Sequence, residues 1–304
     1  MNKAHFMRYM KTMAVLAAAL CWVWAPAVAI ASAPAPVPQE IFADPLWDDG
    51  RAEYSTYTGT TLRYGQDRAL EVRMILVKED LLRDALVKRD AGSLPGRTVT
   101  AIKLNTIADF TTGTYAYHQM TTVMCERASG AVLKETVSQT EGCGISFVRI
   151  APKQGRLVRE SHSYFESDAD AQAAVEWAAG ERVYADALPL WLRRYAHLTA
   201  PFARTVQLLA TQVGAHASAA GAQPAPATIA LVETAPVQVP AGKFDAVHFT
   251  VTSGDAVDHY WFDRAAPHVL LRMDTAAGRH LTLKKTQRLD YWNHRANGDE
   301  RMLD

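Results

Sequence analysis

Hydrophobic and polar residues alternate with a period of two along most of this chain. Residues 70–77 read Leu-Glu-Val-Arg-Met-Ile-Leu-Val, and a similar alternation recurs at residues 115–123. A β-strand places successive side chains on opposite faces of a sheet, so this period predicts half-buried strands rather than helices. Comparable stretches lie at residues 52–54, 99–104, 145–150, 157–165, 228–239, 244–251, 259–262, 268–273 and 280–291.

Glycines separate these stretches at intervals that suit tight turns. The clearest signal for such a turn lies in the segment "VQVPAGKFDAVHFTV", residues 237–251. There, Pro240, Ala241 and Gly242 predict a three-residue hairpin corner in which Gly242 adopts a positive φ. Strands that follow one another through such turns form an antiparallel meander. The sequence therefore predicts a mainly β fold, an antiparallel curved sheet or open barrel.

The middle of the chain follows a different pattern and predicts a short helical insertion at about residues 168–196. Asp168 offers an N-cap for a helix over residues 169–179. Apolar residues then recur at helical spacing over residues 183–195, where Pro189 favours a helix that begins at the proline rather than running through it. Residues 214–227 are mostly small residues with two prolines, which predicts a mobile loop.

The N-terminus has the order of a secretory signal peptide. Basic residues precede an apolar run at residues 13–30, and Ala29-Ile30-Ala31 supplies a small-x-small cleavage site. We expect cleavage after Ala31, a periplasmic or secreted chain and no transmembrane segment after cleavage. The alternative is an uncleaved anchor, because the apolar run approaches the roughly 18 residues that span a bilayer. Beyond the cut, residues 32–40 form an Ala/Pro-rich leader and residues 41–304 the β-rich domain.

Charge excludes one class of partner. The 304-residue chain carries 32 basic and 32 acidic side chains. Cleavage after Ala31 removes three basic and no acidic ones, so the net charge changes from zero to −3. Nucleic-acid binding requires a basic surface that neutralises phosphates. We therefore expect no nucleic-acid partner, and the oligomeric state stays open.

Two cysteines, Cys125 and Cys143, remain after cleavage. An exported chain meets an oxidising compartment, where a disulfide between them could form. A tight hairpin at Ser129-Gly130 would instead pair Cys125 near Glu135 and leave Cys143 several residues away. A bridge requires the two Cα atoms to approach within about 7 Å, so the sequence leaves it open.

Four blocks of sequence carry a resemblance to a known family. They are the Val-Pro-Ala-Gly-x-Phe hairpin at residues 239–244, "DHYWFDRAAPHVLLRMD" at residues 258–274, "KLNTIADFTTGTYAYHQMTTV" at residues 103–123 and "DALPLWLRRY" at residues 186–195. In these blocks the chain resembles an exported bacterial family known as a domain of unknown function. The resemblance implies a periplasmic or secreted β-rich protein. It implies no activity, because the family has no established one.

No residue pattern specifies a catalyst, a metal or a cofactor. Cys143 lies near a carboxylate, which disfavours the thiolate that nucleophilic catalysis needs. His118 lies within a predicted strand, and three histidines of the C-terminal strands could be drawn as a zinc or hydrolytic site with neighbouring aspartates. These residues lack the close ligand spacing of metal sites, and the chain contains no serine-hydrolase, P-loop or dinucleotide motif. The three histidines are His259, His268 and His280.

Aromatic residues are the better indication of function. They concentrate in the predicted strands, and a curved sheet with an aromatic inner face can hold an apolar ligand. Core packing explains them as well. We expect an exported non-enzymatic protein that binds a hydrophobic or envelope-derived ligand or partner, such as an apolar small molecule or lipid. The alternative is a periplasmic hydrolase-like enzyme using a strand histidine. The candidate ligand-binding residues are Tyr115, Tyr117, His118, Tyr260 and Phe262.

Overall fold

A computed structural model describes residues 37–90, 96–166, 169–214 and 223–303 of the chain. Sixteen strands in these residues form a single sheet. They are β1 (Ala52–Arg63), β2 (Gln66–Leu82), β3 (Val87–Lys88), β4 (Thr98–Thr112), β5 (Tyr115–Glu126), β6 (Val132–Glu141), β7 (Gly144–Lys153), β8 (Arg156–Ser163), β9 (Ala171–Ala174), β10 (Arg182–Tyr184), β11 (Phe202–Leu209), β12 (Ala225–Val239), β13 (Gly242–Ser253), β14 (Ala256–Asp263), β15 (Leu270–Asp274) and β16 (Arg279–Leu289).

The sheet is two meanders joined through its first and last strands. Its order is β10-β11-β12-β13-β14-β15-β16-β1-β2-β4-β5-β6-β7-β8-β9, and β3 pairs with the end of β2. Among the described strands, β10 and β11 pair in parallel and all other neighbours are antiparallel. The sheet is curved and not closed into a barrel. The prediction of a mainly β, antiparallel, curved or open architecture is therefore confirmed.

The alternation of the sequence is visible in the burial of each strand. In β5, Tyr117, Val123 and Cys125 are buried on one face, which we call the inner face, and His118 is exposed on the other. Gln119 is also buried on the inner face. Apolar side chains from nearly all the strands meet on this inner face and form the main core. The inner face of β5 is thus apolar at one end and polar in its middle.

The insertion contains one short helix, α1 (Leu188–Arg193), which follows a turn of 3₁₀ helix at Ala185–Ala187. Pro189 lies in the first turn of α1, as the sequence indicates. Leu188 and Leu192 are completely buried in the main core. Burying a leucine side chain contributes about 1.5–3 kcal/mol, so α1 is held mainly by packing against the sheet.

The helix predicted over residues 169–179 is wrong. Ala171–Ala174 instead forms β9, which pairs with β8. The alanine-rich segment favours a helix by intrinsic propensity. Without it, however, backbone groups along β8 would have no strand partner on that side, and this pairing outweighs the local preference. Asp168, the proposed N-cap, lies outside the described residues.

Two predicted boundaries in the second meander are corrected. Residues 215–222 of the predicted mobile loop lie outside the described residues, but β12 already begins at Ala225 and pairs with β11. At the hairpin, Val239 pairs with Gly242, so the corner has two residues rather than three. Gly242 has a φ of +140°, which confirms its predicted positive φ.

Cys125 and Cys143 are both free, so the proposed disulfide is absent. Cys125 is buried in β5 opposite Val132, the first residue of β6, whereas Cys143 lies two residues after Glu141, the last residue of β6. At about 3.4 Å per residue, the length of β6 separates the two thiols by roughly 30 Å. The signal peptide predicted at residues 1–31 lies outside the described residues. In the ranges that are described, no helix has the length and apolar character needed to cross a bilayer.

Candidate functional site

A cavity of about 400 Å³ lies on the inner face of the sheet. Strands from both meanders form its walls, and the segment leading into α1 and the residues after β11 complete it. The lining contains Ala185 and Val213 from those two segments and Pro189 from the first turn of α1. Small-molecule pockets in proteins typically have volumes of about 300–1,000 Å³, so the cavity has the size of a ligand site.

Apolar side chains from both meanders form part of the cavity lining, which we call the apolar wall. The rings of Phe110 in β4 and Tyr117 in β5 are stacked, with their centroids 4.6 Å apart and their planes at 6°. The two residues are directly paired in the antiparallel ladder, which brings their side chains together. Tyr260 from β14 and Leu281 from β16 contribute further apolar surface. This wall can contact a hydrophobic group of a ligand.

A chain of polar side chains crosses the cavity between the two meanders. Arg279 Nη2 donates to Gln119 Oε1 at 2.7 Å, and Gln119 Nε2 donates to Gln139 Oε1 at 2.8 Å. Gln139 Nε2 also donates to the Gly214 carbonyl oxygen at 3.0 Å. Gln119 and Gln139 are paired across β5 and β6, whereas Arg279 is the first residue of β16. These bonds fix the polar groups in position.

Asp186, in the turn before α1, brings a carboxylate to the cavity. Its oxygens accept hydrogen bonds from Thr211 Oγ1 at 2.6 Å and from the Gln212 backbone N–H at 3.0 Å. Asp258 is a second lining carboxyl, and burial raises its pKa. The Ala276 backbone N–H donates to Asp258 Oδ1 at 2.8 Å. Both carboxyls are therefore held by backbone or hydroxyl donors.

Arg63, Tyr117 and Glu141 form a polar edge of the cavity. Arg63 Nη2 lies 3.7 Å from Glu141 Oε2, and the Arg63 guanidinium carbon lies 5.3 Å from the centre of the Tyr117 ring. The hydroxyls of Tyr64 and Tyr117 are hydrogen-bonded at 3.0 Å. Burial, together with that hydroxyl, raises the pKa of Tyr117 to about 12, so the phenol is neutral at physiological pH. The charge of Arg63 already has a carboxylate partner.

The structure brings two of the five predicted ligand-binding residues to the cavity, Tyr117 and Tyr260. Tyr115 has the same strand parity as Tyr117 but lies at the start of β5, where it is 41% exposed and does not line the cavity. His118 faces the other side of the sheet, where its Nδ1 is 2.6 Å from Asp109 Oδ1. Phe262 is fully buried against Phe249.

Sequence reasoning did not identify three polar members of the cavity lining, Arg279, Gln119 and Asp186. One signal was available for Gln119, because it lies two residues after Tyr117 and therefore on the same face of the strand. Arg279 and Gln119 are separated by 160 positions in the chain. Their contact depends on the closure of β16 onto β1, which no local pattern shows.

The histidines of the C-terminal strands do not converge. His259 Nδ1 lies 3.0 Å from His248 Nε2, His268 Nδ1 lies 3.0 Å from the Asp263 carbonyl oxygen, and His280 Nδ1 lies 3.0 Å from Asp274 Oδ1. None of these histidines lines the cavity. Within the described ranges, no three His, Cys, Asp or Glu side chains are grouped so as to hold a metal ion.

Comparisons with known proteins show similarity at the level of structure. No protein-family model matches the chain, and no curated protein matches it either. A β-barrel-like protein of the domain of unknown function DUF1849 from Brucella abortus is 10% identical, with a TM-score of 0.45; the match covers 79% of this chain and 97% of that one. A Bacteroides fragilis protein with a YmcC-like fold, provisionally named as exported, is 11% identical with a TM-score of 0.20, covering 78% and 94%. We draw no functional conclusion from these two proteins.

Proposed function

We propose that this chain is an exported, non-enzymatic protein that binds a hydrophobic or envelope-derived small molecule in the cavity on the inner face of its sheet. The observation that carries the proposal is the cavity itself, about 400 Å³ on the face of the sheet that also carries the main core. Protein interiors are normally packed to near-crystalline density, with few voids larger than a water molecule. A space of this size therefore favours a ligand.

The composition of the lining supports a ligand that is apolar over most of its length. The stacked Phe110–Tyr117 pair, Tyr260 and Leu281 offer apolar surface, and the central polar side chains of the lining are hydrogen-bonded to one another. Ligand pockets commonly combine hydrophobic walls with a small number of fixed polar groups. Because these hydrogen bonds already hold the central polar groups in position, binding requires little rearrangement.

The alternative of a hydrolase-like enzyme with a strand histidine finds no support in the cavity. A general base must lie within hydrogen-bond reach of the group that it deprotonates. His118 points away from the cavity towards Asp109, and His248, His259, His268 and His280 lie outside the lining. We therefore retain binding as the proposed function.

The test is saturable binding of a neutral hydrophobic dye, N-phenylnaphthylamine, to the full chain purified from the compartment that it reaches. Thr121 is buried in the lining of the cavity, so Thr121→Phe should fill part of the space and abolish or strongly weaken dye binding. Thr122→Phe is the matched control, because Thr122 lies one residue further along β5, where its hydroxyl donates to Asn105 outside the lining. The control should bind as the wild type does.

A second variant that fills the same cavity is needed in case the first variant fails to fold. Thr106 in β4 is paired with Thr121 and also lines the cavity, so Thr106→Phe should have the same effect. Thermal melts establish that each variant is folded. A folded wild-type chain that shows no saturable dye binding, or two folded cavity variants that bind like the wild type, would contradict the proposal.

A further inference from the structure

Arg279 is a cationic residue of the cavity lining that has no carboxylate partner in the described part of the chain. Its Nη2 donates to the neutral amide of Gln119, and no described Asp or Glu lies within ion-pair distance of it. A guanidinium has five N–H donors. Burial lowers the pKa of Arg279, opposed by the negative charge of Asp186. The side chain nevertheless stays protonated, because an arginine pKa lies far above neutral pH.

The other charged groups of the lining are already engaged. Arg63 is paired with Glu141, Asp186 accepts two hydrogen bonds from residues 211 and 212, and Asp258 accepts one from Ala276. A buried charge is costly unless it is paired and hydrogen-bonded. Of the two arginines in the lining, Arg279 is therefore the one without a described carboxylate at ion-pair distance.

The form of the guanidinium selects the chemistry of its partner. Arginine presents a planar fork of donors that matches the two oxygens of a carboxylate. A dianionic group such as a phosphate monoester would also meet the negative charges of Asp186 and Asp258 across the same cavity, and like charges in a low-dielectric space repel strongly. One negative charge suits the lining better than two.

We propose that the ligand is an amphiphile with a single carboxylate, such as a fatty acid, whose head group pairs with Arg279 while its tail lies against the apolar wall. This inference rests on the proposed function, since it names the ligand class of the same cavity. The apolar wall supplies the tail contacts through Phe110, Tyr260 and Leu281. Gln119 and Gln139 hold Arg279 in place from the opposite meander.

The test compares three probes of equal chain length, dodecanoate, dodecanol and dodecyl phosphate. Binding is measured by titration calorimetry at concentrations below the critical micelle concentration of each probe. The wild type should bind dodecanoate at least tenfold more tightly than dodecanol or dodecyl phosphate. Arg279→Gln should lose at least tenfold in dodecanoate affinity and keep its dodecanol affinity within about twofold. Arg272→Gln is the matched control, because Arg272 is a β15 arginine outside the cavity that pairs with Asp274. It should bind all three probes as the wild type does.

The possible results separate the two proposals. If the wild type binds dodecanol and dodecanoate equally well and Arg279→Gln changes neither affinity, the head-group inference fails and the binding function stands. If the wild type binds dodecyl phosphate more tightly than dodecanoate, the inference of a ligand with a single carboxylate is also contradicted. If the wild type binds none of the probes, both proposals fail. Should Arg279→Gln be unfolded, Arg279→Lys carries the test, since it must keep a preference for dodecanoate over dodecanol.

Discussion

Glu135 in β6 has a buried carboxyl group whose pKa is raised by that burial and by the neighbouring carboxyl group of Asp186, in the turn before α1. Two neighbouring carboxyl groups repel each other when both are charged, so the more deeply buried of the two keeps its proton. Glu135 is only 2% exposed, whereas Asp186 accepts bonds from Thr211 and Gln212. The proton therefore resides on Glu135, which links the sheet to the segment that lines the cavity.

This pair predicts that the stability of the fold decreases as pH rises. Burial, and then the charge of Asp186, raise the pKa of Glu135 well above its usual 4.5. Between the unfolded pKa of about 4.3 and the raised folded pKa, the native chain keeps a proton that the unfolded chain has released. The contribution of Glu135 to the free energy of unfolding is complete below the unfolded value. It falls by up to about 1.4 kcal/mol per pH unit as the pH rises through that window.

Glu135→Gln should remove this dependence, because a glutamine is neutral at every pH. The variant should be more stable than the wild type at pH 7, and the difference should shrink as the pH is lowered towards 4.5. Urea unfolding at a series of pH values measures it. Glu71→Gln, at an exposed position of β2, is the control and should leave the pH dependence unchanged. A Glu135→Gln variant with the wild-type pH slope would mean that Glu135 is charged in the fold.

Local alternation was sufficient to predict the strands but not the identity of every site residue. The period of two in β5 correctly indicates a strand, and the same period requires that Tyr117 and His118 face opposite sides of the sheet. Both were predicted to bind a ligand, yet only Tyr117 lines the cavity. Strand parity, applied strictly, would have excluded His118 without a structure.

Other features depend on contacts that the sequence does not display. The alanine-rich segment of β9 reads as a helix until β8 is available to pair with it. Arg279 reads as an ordinary arginine at the start of a strand until β16 pairs with β1 and brings it to Gln119. In both cases the decisive partner is distant in the chain, so tertiary pairing overrides or creates the local role.

A buried ion pair anchors α1 to the first strand of the sheet, and breaking it should be costly. Arg193 Nη2 donates to Glu53 Oε1 at 2.7 Å, and both residues are buried. Removing one partner of a buried pair leaves an uncompensated charge, which typically costs about 3–5 kcal/mol. Arg193→Met should lower the free energy of unfolding by about that amount, as measured by urea denaturation.

Two further variants distinguish the charge effect from lost packing. Glu53→Leu combined with Arg193→Met removes both charges, so the double variant should be more stable than Arg193→Met alone. Arg264→Met breaks the exposed pair with Asp245 and should cost less than about 1 kcal/mol. If the single and double variants lost the same free energy of unfolding, the unpaired charge of Glu53 would not be the cause of the loss.

Cys125 and Cys143, the two cysteines that remain if the predicted signal peptide is cleaved, should react with alkylating reagents at very different rates. Cys143 is exposed, whereas Cys125 is buried and its pKa is raised to about 12 by that burial. Only the thiolate is nucleophilic, so Cys125 should be inert in the folded chain. After treatment with iodoacetamide, intact mass should show one added group under native conditions and two after denaturation. In Cys143→Ser the native chain should gain none; a disulfide-linked mass would contradict the free thiols.

Two glycines should respond to alanine substitution for different physical reasons. At Gly59 in β1, an added Cβ would lie 1.8 Å from the His280 carbonyl oxygen of β16. The β1–β16 ladder joins the two meanders, so this clash falls on the pairing that completes the sheet. Gly59→Ala should cost about 3 kcal/mol or more, at or above the upper end of typical overpacking.

At Gly242, by contrast, the space is open and the backbone is the constraint. An added Cβ would lie 3.6 Å from the Phe244 ring, an ordinary contact, but the φ of +140° is unfavourable for a residue with a side chain. Gly242→Ala should therefore cost about 1–3 kcal/mol through backbone strain, and Gly242→Val should fall in the same range or slightly above it. Thermal and urea unfolding of the variants give the order. If Gly59→Ala were less destabilising than Gly242→Ala, the close approach of β1 to β16 at His280 would be contradicted. The pairing of β1 with β16, on which the Arg279–Gln119 contact depends, would then be in question.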